Sequence, residues 1–160
     1  MGRMTIPGWF SRRSRLERKA VHAFRLKNYR GAIRHLDELL VHVGENPNTL
    51  HVLALCHERI GADDAASEYA TRAVSADEHH FEALRLLVRL HVRRGEEDDA
   101  RAFAQRALSS LPPPAVPRSL GRAARLFARD HDPSLDGHDR ELREWIRWAR
   151  ALIGSDTMST

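Results

Sequence analysis

At 160 residues, with 42 % hydrophobic and 30 % charged side chains, the chain suits one compact domain or a short repeat array burying about 70 % of its unfolded surface, and no apolar run approaches the roughly 18 residues needed to span a bilayer. Its one cysteine, Cys56, excludes an internal disulfide and a four-thiolate zinc centre, so apolar packing must supply the stability. The net charge of +4 is uneven, with ten Lys and Arg against Glu17 alone in residues 1–35; yet only Lys19 and Lys27 of 26 basic residues are lysines, so the excess reads as arginine-rich composition, and no zinc-finger or RNA-binding signature makes nucleic acid the expected partner.

Residues 1–12 read as a basic and aromatic arm. Ile6, Trp9 and Phe10 surround the helix-breaking pair Pro7 and Gly8, and Arg3, Arg12 and Arg13 add charge with no acid among them. Such a segment can dock on an anionic membrane, on a partner or on its own first repeat, each basic residue adding about 1 kcal/mol near a bilayer surface. No apolar stretch of about 7–15 residues with a small-residue cleavage site stands here, so the expected compartment is the cytoplasm, with the inner face of a bacterial membrane reachable through the arm.

From Arg13 the chain repeats itself every 34 residues without a gap, giving units 13–46, 47–80 and 81–114. Leu16, Leu50 and Leu84 form one column, Ala20, Ala54 and Val88 a second, Ala32, Ala66 and Ala100 a third, and Leu39, Ala73 and Ala107 a fourth. Lys27, Gly61 and Gly95 share a turn, His57 matches His91, and Gly44, Glu78 and Pro112 close the units. Within each copy the apolar residues recur at helical spacing, as in Leu84, Leu87, Val88 and His91, so each unit is expected to be two helices. Gly61 and Gly95 stand where a left-handed C-cap suits glycine, and the acids that follow, Asp63 and Asp64 or Glu96 to Asp99, favour the positive end of the next helix. The alanine column at 32, 66 and 100 allows the two helices of a unit to approach closely.

These columns resemble the tetratricopeptide repeat family over residues 13–112. The second copy matches through Leu50, Leu53, Ala54, His57, Ala66, Ala70 and Ala73, and the third through Leu84, Leu87, Val88, His91, Ala100, Ala104, Ala107 and Pro112. The first departs, with Lys19 in the Leu position and Leu39 in an Ala position, while Tyr29, Ala32 and Ile33 read like the family's second-helix entry. The resemblance implies an all-α solenoid of three helix-turn-helix repeats whose inner groove binds peptides along the first helix of each unit. Carried onto this sequence, the groove is lined by Glu17, Val21, Phe24 and Arg25, by His51, Leu55, Glu58 and Arg59, and by Arg85, Arg89, Val92 and Arg93. Arg85, Arg89 and Arg93 fall on one helix face, suited to carboxylates or phosphates, so an acidic or C-terminal segment of a protein is the expected ligand. The family's clamp of Lys, Asn and Arg on a chaperone's terminal carboxylate is missing: Glu17 and Val21, Val52, and Glu82 and Leu86 stand in its places.

After Pro112, Pro113, Pro114 and Pro117 the register breaks. Leu120, Ala123, Ala124 and Phe127 oppose Arg118, Arg122, Arg125 and Arg129, the pattern of a helix capping the array. Residues 138–153 give another helix, completing the 117–153 capping region before a tail at 154–160. Its apolar arc of about 160° holds Leu142, Trp145, Ile146, Ala149, Leu152 and Ile153, with Trp148 widening it. Trp145, Trp148 and Leu152 therefore mark a surface for a partner or a second copy. The ten histidines make no zinc-binding helix pair, and no nucleotide loop or nucleophile motif appears, so neither metal, cofactor nor catalysis is expected. The reading is a non-catalytic adaptor that recognises a protein and helps assemble a larger complex. The alternatives are a bacterial secretion chaperone, which an apolar groove would favour and this one shows few residues for, and a docking subunit of an enzyme complex.

Overall fold

The computed structural model describes the backbone of residues 8–111 and 134–154 and the side chains of residues 12–111 and 140–154. The described residues form seven helices and no strand: α1 (Gly8–Arg25), α2 (Tyr29–Val43), α3 (Pro47–Arg59), α4 (Asp63–Ala76), α5 (Phe81–Arg94), α6 (Glu97–Ser109) and α7 (Ser134–Gly154). α1 with α2, α3 with α4 and α5 with α6 make three hairpins, and α2–α3, α4–α5 and α6–α7 contacts stack them in chain order. This is a helical solenoid.

The four apolar columns of the repeat are layers of the core. Leu16, Leu50 and Leu84 are buried, as are Ala20, Ala54 and Val88, the alanines at 32, 66 and 100, and Leu39, Ala73 and Ala107. Equivalent side chains meet equivalent surroundings because each hairpin covers the apolar face of the one before it. The turn column holds too, since Lys27, Gly61 and Gly95 all have left-handed backbone, with φ of 58°, 78° and 74°. Polar side chains start the helices: Asn28 accepts from Gly31 N–H at 3.0 Å, and Asn46 from Asn48 and Thr49 N–H at 3.0 and 3.3 Å with Pro47 in the first turn. α4 and α6 have no side-chain cap bond, and the acids of their first turns face the helix dipole instead.

One boundary differs from the sequence reading. The first helix begins at Gly8, so residues 8–12 are not a separate arm but its opening turns; no breaker follows Gly8, and the helix continues back to it. At the other end the expected capping helix around Leu120–Phe127 lies outside the described residues, and α7 covers the last hairpin. Ala149 is buried with Val88 and Ala104, Trp145 stands edge-on to Phe81 with ring centroids 5.4 Å apart, and Arg101 Nε donates to the Leu152 carbonyl at 3.2 Å. Trp145 and Leu152 thus pack on their own chain, whereas Trp148 stays 42 % exposed.

Candidate peptide-binding groove

α1 and α3, the first helices of consecutive repeats, wall a concavity of about 520 Å³. Glu17, Val21, Phe24 and Arg25 come from α1, Asn48, Thr49, Val52 and Leu55 from α3, and Leu36 and Leu39 of α2 reach between them. Ala20 also lines it, and its small side chain leaves the space open. The Phe24 ring is held edge-on to Tyr29 at 5.5 Å, and Val21 is 52 % exposed on the rim. Charge sits at the margin: Arg13 Nε donates to Glu17 at 2.9 Å, and Arg25 has no ion-pair partner among the described residues. This volume and apolar lining are those of a ligand pocket for one or two large side chains.

Further along α3 the surface changes character. Glu58, only 8 % exposed, accepts from Arg89 Nε and Nη2 at 2.7 Å each and from Arg93 Nη2 at 2.9 Å, while Arg93 Nη1 donates to both Asp63 oxygens at 3.0 Å. Burial works to raise the Glu58 carboxyl, but the bonds and charges of Arg89 and then Arg93 outweigh it and hold it below the usual carboxylate range. Glu58, Arg59, Arg89 and Arg93 surround a polar hollow of about 500 Å³.

The three arginines expected as one set are divided. Arg85 lies between the rings of Phe81 and Trp145, 5.6 and 5.2 Å from their centroids, with its side chain 11 % exposed and its charge met by Glu82 at 3.3 Å and Glu141 at 3.6 Å. α7 has withdrawn it from the groove, leaving Nε buried without a partner. Arg89 and Arg93 remain, each tied to an acid of the neighbouring unit, and Arg94 follows the pattern by donating to Asp64 at 2.7 Å. The acid run that opens α4 therefore also neutralises the last turn of α5. Val92 is half-exposed and lines neither hollow.

His51, which lines neither hollow, faces His80 with ring centroids 5.2 Å apart. Burial, then His80, Arg89 and Arg85, push the His51 imidazole down to about 4, so it is neutral near pH 7. His80 starts α5: its Nδ1 accepts from Ala83 N–H at 3.2 Å, which leaves Nε2–H to donate to Asn48 Oδ1 at 3.0 Å. The matched pair His57 and His91 stack on Tyr69 and Phe103, each at 5.1 Å. His91, Glu96 and Asp99 bring potential metal-ligating atoms within 4.8 Å of one another, but His91 Nδ1 and Glu96 Oε2 are 2.6 Å apart, in hydrogen-bond contact where α6 begins. Burial raises the Cys56 thiol to about 11, which makes it unreactive.

Of the N-terminal docking residues, Ile6 and the side chains of Trp9 and Phe10 lie outside the described residues. Arg12 and Arg13 are bound within the chain, to Glu38 at 3.4 Å and Glu17 at 2.9 Å. The sequence reading missed Ala20, Leu36, Leu39, Asn48, Thr49 and Val52. Only Leu36 and Leu39 come from the second helix of a unit; Ala20, Asn48, Thr49 and Val52 lie on the first helices, beside the positions carried over from the resembled family. The signal was present in Val21 and Val52, which stand where the clamp residues of the resembled family would be.

No family model and no curated protein matches the chain. Solved structures do. The first TPR of Spaghetti (RPAP3), bound to the HSP90 peptide SRMEEVD, superposes with a TM-score of 0.60 at 17 % identity, covering 66 % of this chain and 83 % of that one. The Yersinia enterocolitica type III secretion chaperone SycD, in complex with a peptide of the translocator YopD, gives 0.63 at 12 % identity, covering 86 % and 92 %. The TPR2B domain of yeast Sti1 in its pHsp70 complex gives 0.63 at 11 % identity, covering 88 % and 98 %. Among the described residues no helix is long and apolar enough to cross a membrane.

Proposed function

We propose that this chain, built on the tetratricopeptide-repeat fold, is a non-catalytic adaptor that holds an extended or helical segment of a partner protein by its apolar side chains in the groove between α1 and α3. The concavity itself carries the reading: about 520 Å³ of mainly apolar lining, open to solvent, on the face where Val21 and Val52 replace the polar groups that would hold a terminal carboxylate. An aromatic or leucine side chain is the fitting anchor, and burying one is worth about 1.5–3 kcal/mol. Arg25, at the rim, favours a segment without basic residues beside the anchor.

The same concavity supports a second reading, a chaperone for an exported protein. Apolar segments of such cargo need covering before export, and SycD, with its bound translocator peptide, has this architecture over most of both chains. Selection of random dodecapeptides displayed on phage against the intact chain tests both. Enriched peptides should carry aromatic or leucine anchors and lose binding to Val52→Glu. Peptides that bind Val52→Glu as well as the native chain would reject the groove.

A further inference from the structure

We infer that the charged end of the groove is an anion subsite in which Arg59, Arg89 and Arg93, braced by Glu58, take a side-chain carboxylate of the same partner segment. The inference rests on the groove reading above and adds to it the acid that the partner must carry.

Glu58 organises the site. A guanidinium has five N–H donors, and Arg89 engages Glu58 through Nε and Nη2 while its Nη1 hydrogens remain; Arg93 uses Nη1 for Asp63 and Nη2 for Glu58, and its Nε–H remains. Both side chains are about half exposed, at 48 % and 47 %, so these donors are not sealed in the core. Two long side chains are therefore held in place before any ligand arrives, which removes part of the rotamer entropy that binding would otherwise cost. Arg59 completes the hollow and has no ion-pair partner among the described residues.

Charge selects the ligand. Arg59, Arg89 and Arg93 face Glu58 and Asp63, leaving one positive charge, which matches a carboxylate better than a phosphate dianion placed against the Glu58 carboxylate. Position selects its source. Leu55 at the apolar end and Arg59 at the charged end are one turn apart on α3, a rise of about 6 Å. A strand advances about 3.3 Å per residue, so one peptide with an acid two or three residues from its apolar anchor can fill both ends. The hollow is lined by none of the clamp positions, where Glu17, Glu82 and the apolar residues would repel or fail to hold a terminal carboxylate.

The test uses the tightest dodecapeptide selected on the intact chain, labelled and titrated by fluorescence anisotropy against the native protein and Arg59→Gln. The selected sequence should hold Asp or Glu two or three residues from its anchor. Changing that acid to its amide should weaken binding to the native chain about three- to tenfold, and should cost nothing further in Arg59→Gln. An equal loss in both proteins, or selected peptides without an acid at that spacing, would overturn the subsite. So would tighter binding of a version with phosphoserine in place of the acid. Val52→Glu separates the layers: if it leaves the peptide's affinity unchanged, the groove reading has failed, whereas its loss together with acid-independent binding removes the anion subsite alone.

Discussion

The apolar and charged ends of the groove share a wall, α3, yet are built on opposite principles. At the α1–α3 end, small and aliphatic side chains leave a hollow with charges only at its margin. At the α3–α5 end, the groove-facing residues are ionic, and the chain's own acids already occupy much of their hydrogen-bonding capacity. The contrast teaches that a position on the inner face of a repeat does not fix its role. The apolar residues there stand open to solvent, whereas Arg89 and Arg93 are drawn to acids of the adjoining unit, and their availability depends on which N–H groups those acids leave over.

Breaking the apolar end should have the largest effect. Val52→Glu, which puts a charge into the hollow, is expected to weaken a selected peptide about 10- to 100-fold by anisotropy, with the urea midpoint little changed because Val52 is only partly buried. The contact of α3 with the start of α5, where His51 meets His80, responds to pH. His51 takes a proton near 6.5 when unfolded but only at about 4 when folded, so its contribution is complete above pH 6.5 and is lost progressively as the pH falls towards 4. Urea unfolding at pH 7 and pH 4.5 should show His51→Asn losing about 2 kcal/mol less than the native chain over that interval; equal losses would contradict the burial of that ring. At the charged end, Glu58→Gln should cost about 1–2 kcal/mol of stability, less in 1 M salt, because its arginine partners are half exposed and screened. The smallest effect belongs to the turn column. Lys27 adopts the left-handed backbone that Gly61 and Gly95 adopt without strain, so Lys27→Gly should raise stability by about 0.5–1 kcal/mol while Gly95→Ala lowers it by about 1 kcal/mol, both readable as shifts in thermal midpoint.

The fold was legible because its signal is redundant. Leu50 and Leu84, or Ala66 and Ala100, occupy matching buried places, and any one column would have implied the others. The groove was legible only where one helix determines it: Val21, Phe24 and Leu55 line the concavity, and Glu58, Arg89 and Arg93 meet in the polar hollow. What the sequence could not carry are contacts between elements whose relative placement no spacing specifies. Leu36 and Leu39 form the floor from another helix, Asp63 reaches Arg93 across a repeat boundary, and Trp145 with Glu141 removes Arg85 from far along the chain. The absent carboxylate clamp reads from sequence as a missing ligand mode; in three dimensions Val21 and Val52 at those positions wall an apolar concavity.

The most direct measurement is methyl NMR of the intact chain with a selected peptide bound. The account predicts intermolecular contacts from the peptide's apolar anchor to the methyl groups of Val21, Val52 and Leu55. Contacts confined to residues of α4 and α6, with those three methyl groups unperturbed, would contradict it.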